Sequence, residues 1–243
     1  MISGAGPPVT VVAHGLGASI AETRPLLSGV PGTKVFLQAR GHGDAPAPVV
    51  PGYGELAADL RVAADLHQAT QSLGVSLGAH TILRLLSITP DRFHRVVLFL
   101  PATLDAARDD HAVRRSAGLI EALASEDLDA LRAQVRAELP PDVDAEPYVA
   151  ARAAYLLASP GLPALLTALA DDPPVPDRSV LSAVTAEVLV LGQEGDPLHP
   201  AQTARELASL LPRAELVVFE RPGVVFHERT RLRHLISTHL TPR

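Results

Sequence analysis

A serine stands between two glycines in GVSLGAH, Gly74 to His80, where an apolar segment gives way to a helical one. A nucleophile held on a sharp strand-to-helix turn leaves no room for side chains two positions before and after it, and the G-x-S-x-G pattern meets that steric need. An ordinary glycine-rich turn is spelled the same way, so the rest of the chain decides. A serine hydroxyl is a weak nucleophile near neutral pH, and Ser76 becomes useful only if a histidine takes its proton and a carboxylate orients that histidine. The sequence holds ten histidines, and position relative to the strand runs selects His227. It follows the apolar run Leu216 to Phe219 by the loop RPGVVFH and precedes the helical segment RTRLRHLISTHL, on the side of the sheet where α/β proteins carry their sites. His234 and His239 lie off the apolar face of that segment and read as solvated.

The acid follows the same logic. Asp196 lies in LVLGQEGDPLHP, just past the strand run Val188 to Leu191. Glu194 and His199 share this stretch, whose plain alternative is a solvated, proline-bounded loop. Asp105, after the run Val96 to Leu100, ranks second. A tetrahedral intermediate also needs fixed N–H donors for its oxyanion. Leu77, directly after the serine, supplies one; AHGLGAS, Ala13 to Ser19, supplies the other through Leu16 N–H, its glycines letting the backbone turn tightly. His14 reads as structural, and ARGHGDAP, Ala39 to Pro46, as a tight turn held by Arg40 and Asp44.

These residues need a scaffold. Short apolar runs at Val9 to Ala13, Val35 to Leu37, Val96 to Leu100, Val188 to Leu191 and Leu216 to Phe219 read as buried strands, and segments of helical spacing lie between them. The alternation predicts an α/β fold with a parallel sheet and crossover helices. Ala69 to Val75 must be the strand that feeds Ser76, although it is more polar than a doubly covered strand usually is. From 105 to 181 the strand runs stop and the sequence turns Ala/Leu-rich and helical. Leu128, Leu131, Val135 and Leu139 mark one apolar stripe, with Ser125 or Asp127 as its cap, Pro140-Pro141 as its stop, and DDPPVP marking the return to the sheet.

Taken together, HGLG at His14 to Gly17, RGHGD at Arg40 to Asp44, GVSLGAH, LVLGQEGDPLHP and VFHER resemble the α/β-hydrolase superfamily, in its compact, lidded, esterase-like branch. The order Ser76, Asp196, His227 is that superfamily's chain order. The resemblance implies a mostly parallel six-stranded sheet with helices on both faces and no N-terminal hairpin. It places the core at 1–104 and 182–243 and a helical lid at 105–181. It departs from the family pattern at Val75, where histidine is common. The implied activity is that of a serine hydrolase cleaving a small ester, thioester or lactone through an acyl-enzyme. A lyase or cyclase using the same pocket, and a non-catalytic binding protein, are the alternatives.

Composition excludes other classes. A formal charge of −6 and the lack of clustered Lys and Arg argue against nucleic acid as a partner. With no cysteine there is no disulfide, thiolate metal site or cysteine nucleophile. No His-Glu-x-x-His pattern or P-loop is present, so neither metal nor cofactor is expected. The N-terminal apolar run is too short for a signal core or a span, so a cytoplasmic protein without membrane contact, monomeric or homodimeric, acting on a small molecule, is expected.

Overall fold

The apolar runs become strands because helices cover them, except at the edge, where Leu216 of the last run stays exposed. The computed structural model describes residues 1–45, 52–106 and 110–241. Its sheet contains β1 (Ile2–Ser3), β2 (Val9–Ala13), β3 (Thr33–Leu37), β4 (Gln71–Val75), β5 (Arg95–Phe99), β6 (Glu187–Gln193) and β7 (Ala214–Phe219). The spatial order is β1-β3-β2-β4-β5-β6-β7, with β2 to β7 parallel and β1 antiparallel to β3. Six parallel strands match the expectation. The seventh, β1, is a two-residue edge strand formed where Ile2 pairs with Val35 and Ser3 with Lys34; a piece so short has no hydrophobic period to betray it.

Strand alternation sorts the core into two layers. Val11, Val35, Val96, Leu98, Val188 and Val190 face one side, where helices α2 (Tyr53–Leu66), α3 (Leu77–Ile88) and α8 (Ala201–Leu210) cover them. Their neighbours Val12, Phe36, Leu73, Val97, Phe99, Leu189 and Leu191 face the other. That side is covered by the 3-10 turn at Arg24–Leu27, which follows α1 (Ile20–Thr23), and by the C-terminal helix α10 (Arg229–Leu240), preceded by the one-turn α9 (Val224–His227). The polar character of β4 also has an explanation. Gln71 is buried, accepts a hydrogen bond from Thr10 Oγ1 at 3.0 Å and donates one to the Leu240 carbonyl at 2.8 Å, so it pins the end of α10 to the sheet centre.

Between β5 and β6 run four helices: α4 (Asp110–Ala124), α5 (Leu128–Ala137), α6 (Glu146–Leu157) and α7 (Leu162–Ala168). Asp127 caps α5, accepting from the N–H groups of Asp129 and Ala130. Leu131, Val135, Val149, Ala153, Leu156, Leu162 and Leu165 form a third apolar cluster that also takes in Tyr53, Leu56 and Leu77 of the sheet layer. Polar ties reinforce the junction. Arg84 Nη2 lies 2.7 Å from Asp172 Oδ1, and Tyr53 N–H donates to Asp172 Oδ2 at 2.6 Å. Among the described residues no single helix is long and apolar enough to cross a membrane; α6 and α7 reach that length only together, across an 85° bend.

Candidate active site

The strand-to-helix turn at Ser76 is built from sterics. Ser76 sits at φ 49°, ψ −106°, in the left-handed half of backbone space that a side-chain-bearing residue rarely enters. A Cβ on Gly74 would lie 2.4 Å from the Gly78 carbonyl carbon, and one on Gly78 would lie 2.1 Å from the Ala13 carbonyl oxygen. Both positions therefore exclude every other residue, and the turn lifts Ser76 Oγ off the end of β4. Its backbone is held by Ser76 N–H donating to Phe99 O at 2.8 Å. His80, one turn along α3, accepts from Ala102 N–H at 2.9 Å and so fixes the loop after β5 beside the serine.

Two histidines shape the loop after β2. His14 Nδ1 bonds the Gly15 carbonyl at 2.9 Å while its Nε2 accepts from Ala39 N–H at 3.1 Å. His42 Nε2 accepts from Gly17 N–H at 2.8 Å, and its Nδ1 bonds the Arg40 carbonyl at 3.2 Å. These bonds require each ring neutral, with its proton on Nδ1. Burial depresses both, His42 down to about 3 with the neighbouring His14 adding to the shift. The rings meet edge to face at 4.8 Å and clamp the loops after β2 and β3 together. Among the described residues the Asp44 side chain makes no hydrogen bond in the turn expected there, and Arg40 pairs with Asp59, Nη2 to Oδ1 at 2.7 Å. Within the clamped loop, Gly15 lies against Ser76, a Cβ built on it falling 3.7 Å from the serine Cβ. Neither Leu16 N–H nor Leu77 N–H donates to any acceptor among the described residues, which leaves both amides available beside Ser76.

The histidine that reaches Ser76 is His199. Its Nε2 lies 2.9 Å from Ser76 Oγ, and its Nδ1 lies 2.9 Å from Asp196 Oδ2. His227, expected there from sequence, is not brought to Ser76. Gly223, at φ 79°, starts α9 directly after β7, and this turn points His227 at the helical insertion, with Nε2 3.4 Å from Asp142 Oδ1. The imidazole that replaces it sits only three residues from its acid. Asp196 accepts through Oδ1 from the N–H groups of Leu198 and His199 at 2.9 and 3.2 Å, an Asx turn between Pro197 and Pro200 that folds the His199 ring back over the carboxylate. Gln193 Nε2 donates to Oδ2 at 2.7 Å, and Gln193 Oε1 accepts from Val224 N–H at 3.2 Å. Burial alone would raise the Asp196 pKa, but the His199 contact and these donors outweigh it and hold the carboxyl well below its ordinary range. The signal was present in the sequence: D-P-L-H-P is an aspartate turn with a histidine on its far end. The second-ranked acid, Asp105, is engaged elsewhere by Arg178, with Nε to Oδ2 at 2.7 Å.

Ser76 and His199 open into a cavity of about 750 Å³. Its floor comes from the loops after β2, β4 and β5, and its far walls from the insertion, through Arg115, Glu138, Tyr148, Arg152 and Tyr155. Arg152 joins floor to wall: Nη1 lies 2.6 Å from Glu22 Oε2, and Nη2 donates to the Leu16 carbonyl at 3.2 Å. Among the described residues no cluster of His, Cys, Asp and Glu is suited to a metal ion.

No protein-family model matches the sequence. No curated protein matches it. Solved structures do. An esterase from Exiguobacterium antarcticum superposes with a TM-score of 0.83 at 19% identity, over 99% of this chain and 94% of that one. An enol-lactonase from Burkholderia xenovorans LB400 gives 0.83 at 21% identity, over 100% and 95%. The carboxylesterase CesB from Bacillus subtilis gives 0.80 at 18% identity, over 98% and 86%. An α/β-hydrolase from a deep-sea metagenome superposes at 0.82 with 15% identity, over 100% and 94%. At such identities the likeness establishes architecture, and the architecture is the α/β-hydrolase fold.

Proposed function

We propose that the chain is a serine hydrolase that cleaves a small ester, thioester or lactone through an acyl-enzyme. One observation carries this: the continuous chain of contacts from Ser76 Oγ to His199 Nε2, and from His199 Nδ1 to Asp196 Oδ2, each 2.9 Å long. With Nδ1–H directed at an ionised Asp196, the Nε2 lone pair faces the serine hydroxyl and accepts its proton as Oγ attacks the carbonyl carbon. The oxyanion that forms is met by the free Leu16 and Leu77 amides, already fixed by the loop clamp and the elbow. His199 then returns the proton to the leaving alkoxide or thiolate as the carbon–heteroatom bond breaks. Water, deprotonated by the same imidazole, attacks the acyl-enzyme carbonyl; as the bond to Ser76 Oγ breaks, His199 returns that proton to Oγ and the acid is released. The solved structures it resembles, an esterase, an enol-lactonase and a carboxylesterase, support an ester or lactone carbonyl as the target.

A fluorophosphonate probe tests the reading, because phosphonylation requires an activated serine. The native chain should be labelled and Ser76→Ala should not. His199→Ala should lose about three orders of magnitude or more in ester turnover, whereas His227→Ala should stay within about threefold of the parent, as expected for a side chain outside the relay. Labelling that survives Ser76→Ala would overturn the assignment of the nucleophile. Turnover that depends on His227 and not on His199 would overturn the relay.

A further inference from the structure

The cavity's charges do not balance. Six charged side chains among the described residues line it: Glu22, Glu138, Arg115, Arg152, Arg229 and Arg233. Both glutamates are committed, Glu22 to Arg152 at 2.6 Å and Glu138 to Arg115, with Arg152 Nη2 a further 3.6 Å from Glu138. Among the described residues, Arg229 and Arg233 have no acidic partner. Among the described residues, Arg229 bonds only the Val225 carbonyl, from Nε at 3.3 Å, and Arg233 Nε is buried without a hydrogen-bond acceptor. The two stand one turn apart on α10 and present one face of that helix to the cavity. A buried guanidinium donor without an acceptor is costly, and a chain of net charge −6 has carboxylates to spare for pairing. Elsewhere in the molecule arginines are paired this way: Arg40 with Asp59, Arg84 with Asp172, Arg178 with Asp105.

Building on the hydrolase reading, we infer that Arg229 and Arg233 form an anion subsite and that the substrate is an ester or lactone carrying a carboxylate on the portion that reaches α10. The planar fork of a guanidinium matches a carboxylate's two oxygens, so a bound carboxylate supplies the acceptor that Arg233 Nε lacks. The aliphatic lining from Leu26, Leu100, Leu198 and Val225 suits the carbon chain between that carboxylate and the scissile carbonyl. The same uncompensated charge attracts anionic esters to a pocket in an otherwise acidic protein.

The test pairs para-nitrophenyl glutarate, whose free end is a carboxylate, with para-nitrophenyl glutaramate, which carries a neutral amide in the same place. The native chain should favour the anionic ester in kcat/KM by about tenfold or more, and in Arg233→Met that preference should collapse, mainly through KM. Arg229→Met, on the exposed end of the same face, provides a second variant should Arg233→Met fail to fold. Calorimetric binding of glutarate to the native chain, read without turnover, should weaken at least about tenfold in either variant. A preference that is absent, or that survives in both variants, overturns the subsite. So does glutarate binding that neither substitution weakens. Inorganic phosphate competing more tightly than glutarate overturns the carboxylate as its ligand. Failure of the hydrolase reading looks different: both esters are left intact, or are cleaved equally by Ser76→Ala, while arginine-dependent glutarate binding remains.

Discussion

Asp196 owes its position to bonds made within its own loop. Oδ1 is occupied by two backbone N–H groups and Oδ2 by Gln193 and His199, so the carboxylate cannot rotate without breaking four contacts. Asp196→Asn keeps the Oδ1 acceptor, and with it the turn, but removes the negative charge facing Nδ1. The amide NH₂ placed against that nitrogen favours the tautomer with its proton on Nε2, the wrong side for accepting one from Ser76. Turnover should fall by about three to four orders of magnitude while the melting temperature changes little, which steady-state kinetics and a thermal melt read together. The placement of Ser76 and Asp196 at strand ends was legible in the sequence because each follows a strand run and has a steric or turn signature. The histidine was not. Choosing it by strand order favours His227, whereas the decisive physics is local: an Asx turn between two prolines returns the side chain three residues on to its own acid.

At the scale of elements, the loops after β2 and β3 are held by neutral His14 and His42, and this predicts a dependence of stability on acidity. Both rings have folded pKa values below 6.5, His42 near 3, so the unfolded chain binds protons that the folded chain refuses. Their stabilising contribution is complete above pH 6.5 and is lost as pH falls below it, for His42 over the range down to about 3 at up to about 1.4 kcal/mol per pH unit. His239, also depressed by burial, adds a term of the same sign. Urea unfolding followed from pH 7 to pH 5 should show falling stability, and His42→Gln, which keeps an acceptor for Gly17 N–H but does not titrate, should flatten the slope. An unchanged slope would mean that the clamp tolerates a charged ring. The strands themselves were readable from their apolar runs, and β4 from its place before Ser76. The clamp was hidden because His42 and Gly17 are 25 residues apart and nothing in either stretch specifies the other.

For the molecule as a whole, a sheet with helices on both faces carries Ser76, His199 and Asp196, and the helices between β5 and β6 supply walls of the cavity beside them. Tyr148 is one such wall residue; its hydroxyl donates to Glu22 Oε2 at 3.0 Å and its ring packs edge to face on Phe226 at 5.6 Å. Tyr148→Ala should lengthen the cavity and raise the ratio of kcat/KM for octanoyl over acetyl esters by about tenfold, measured on a series of nitrophenyl esters. The helical character of 105–181 could be read from its spacing and proline stops. The cavity could not, since it is bounded by side chains drawn from both ends and the middle of the chain.

Asp196 and His199 share one short stretch after β6, whereas in the arrangement expected from sequence the histidine would arrive on the segment that leads into the last helix. That segment keeps a tie to the stretch, from Val224 N–H through Gln193 to Asp196. On the proposed reading, changed cavity-facing side chains on the final helix would retune which molecules are admitted while the Ser76–His199–Asp196 contacts stay intact, so selectivity and reactivity can drift independently. Recombining the last two dozen residues among relatives of this shape is consequently a direct route to new preferences on an unaltered reactive centre.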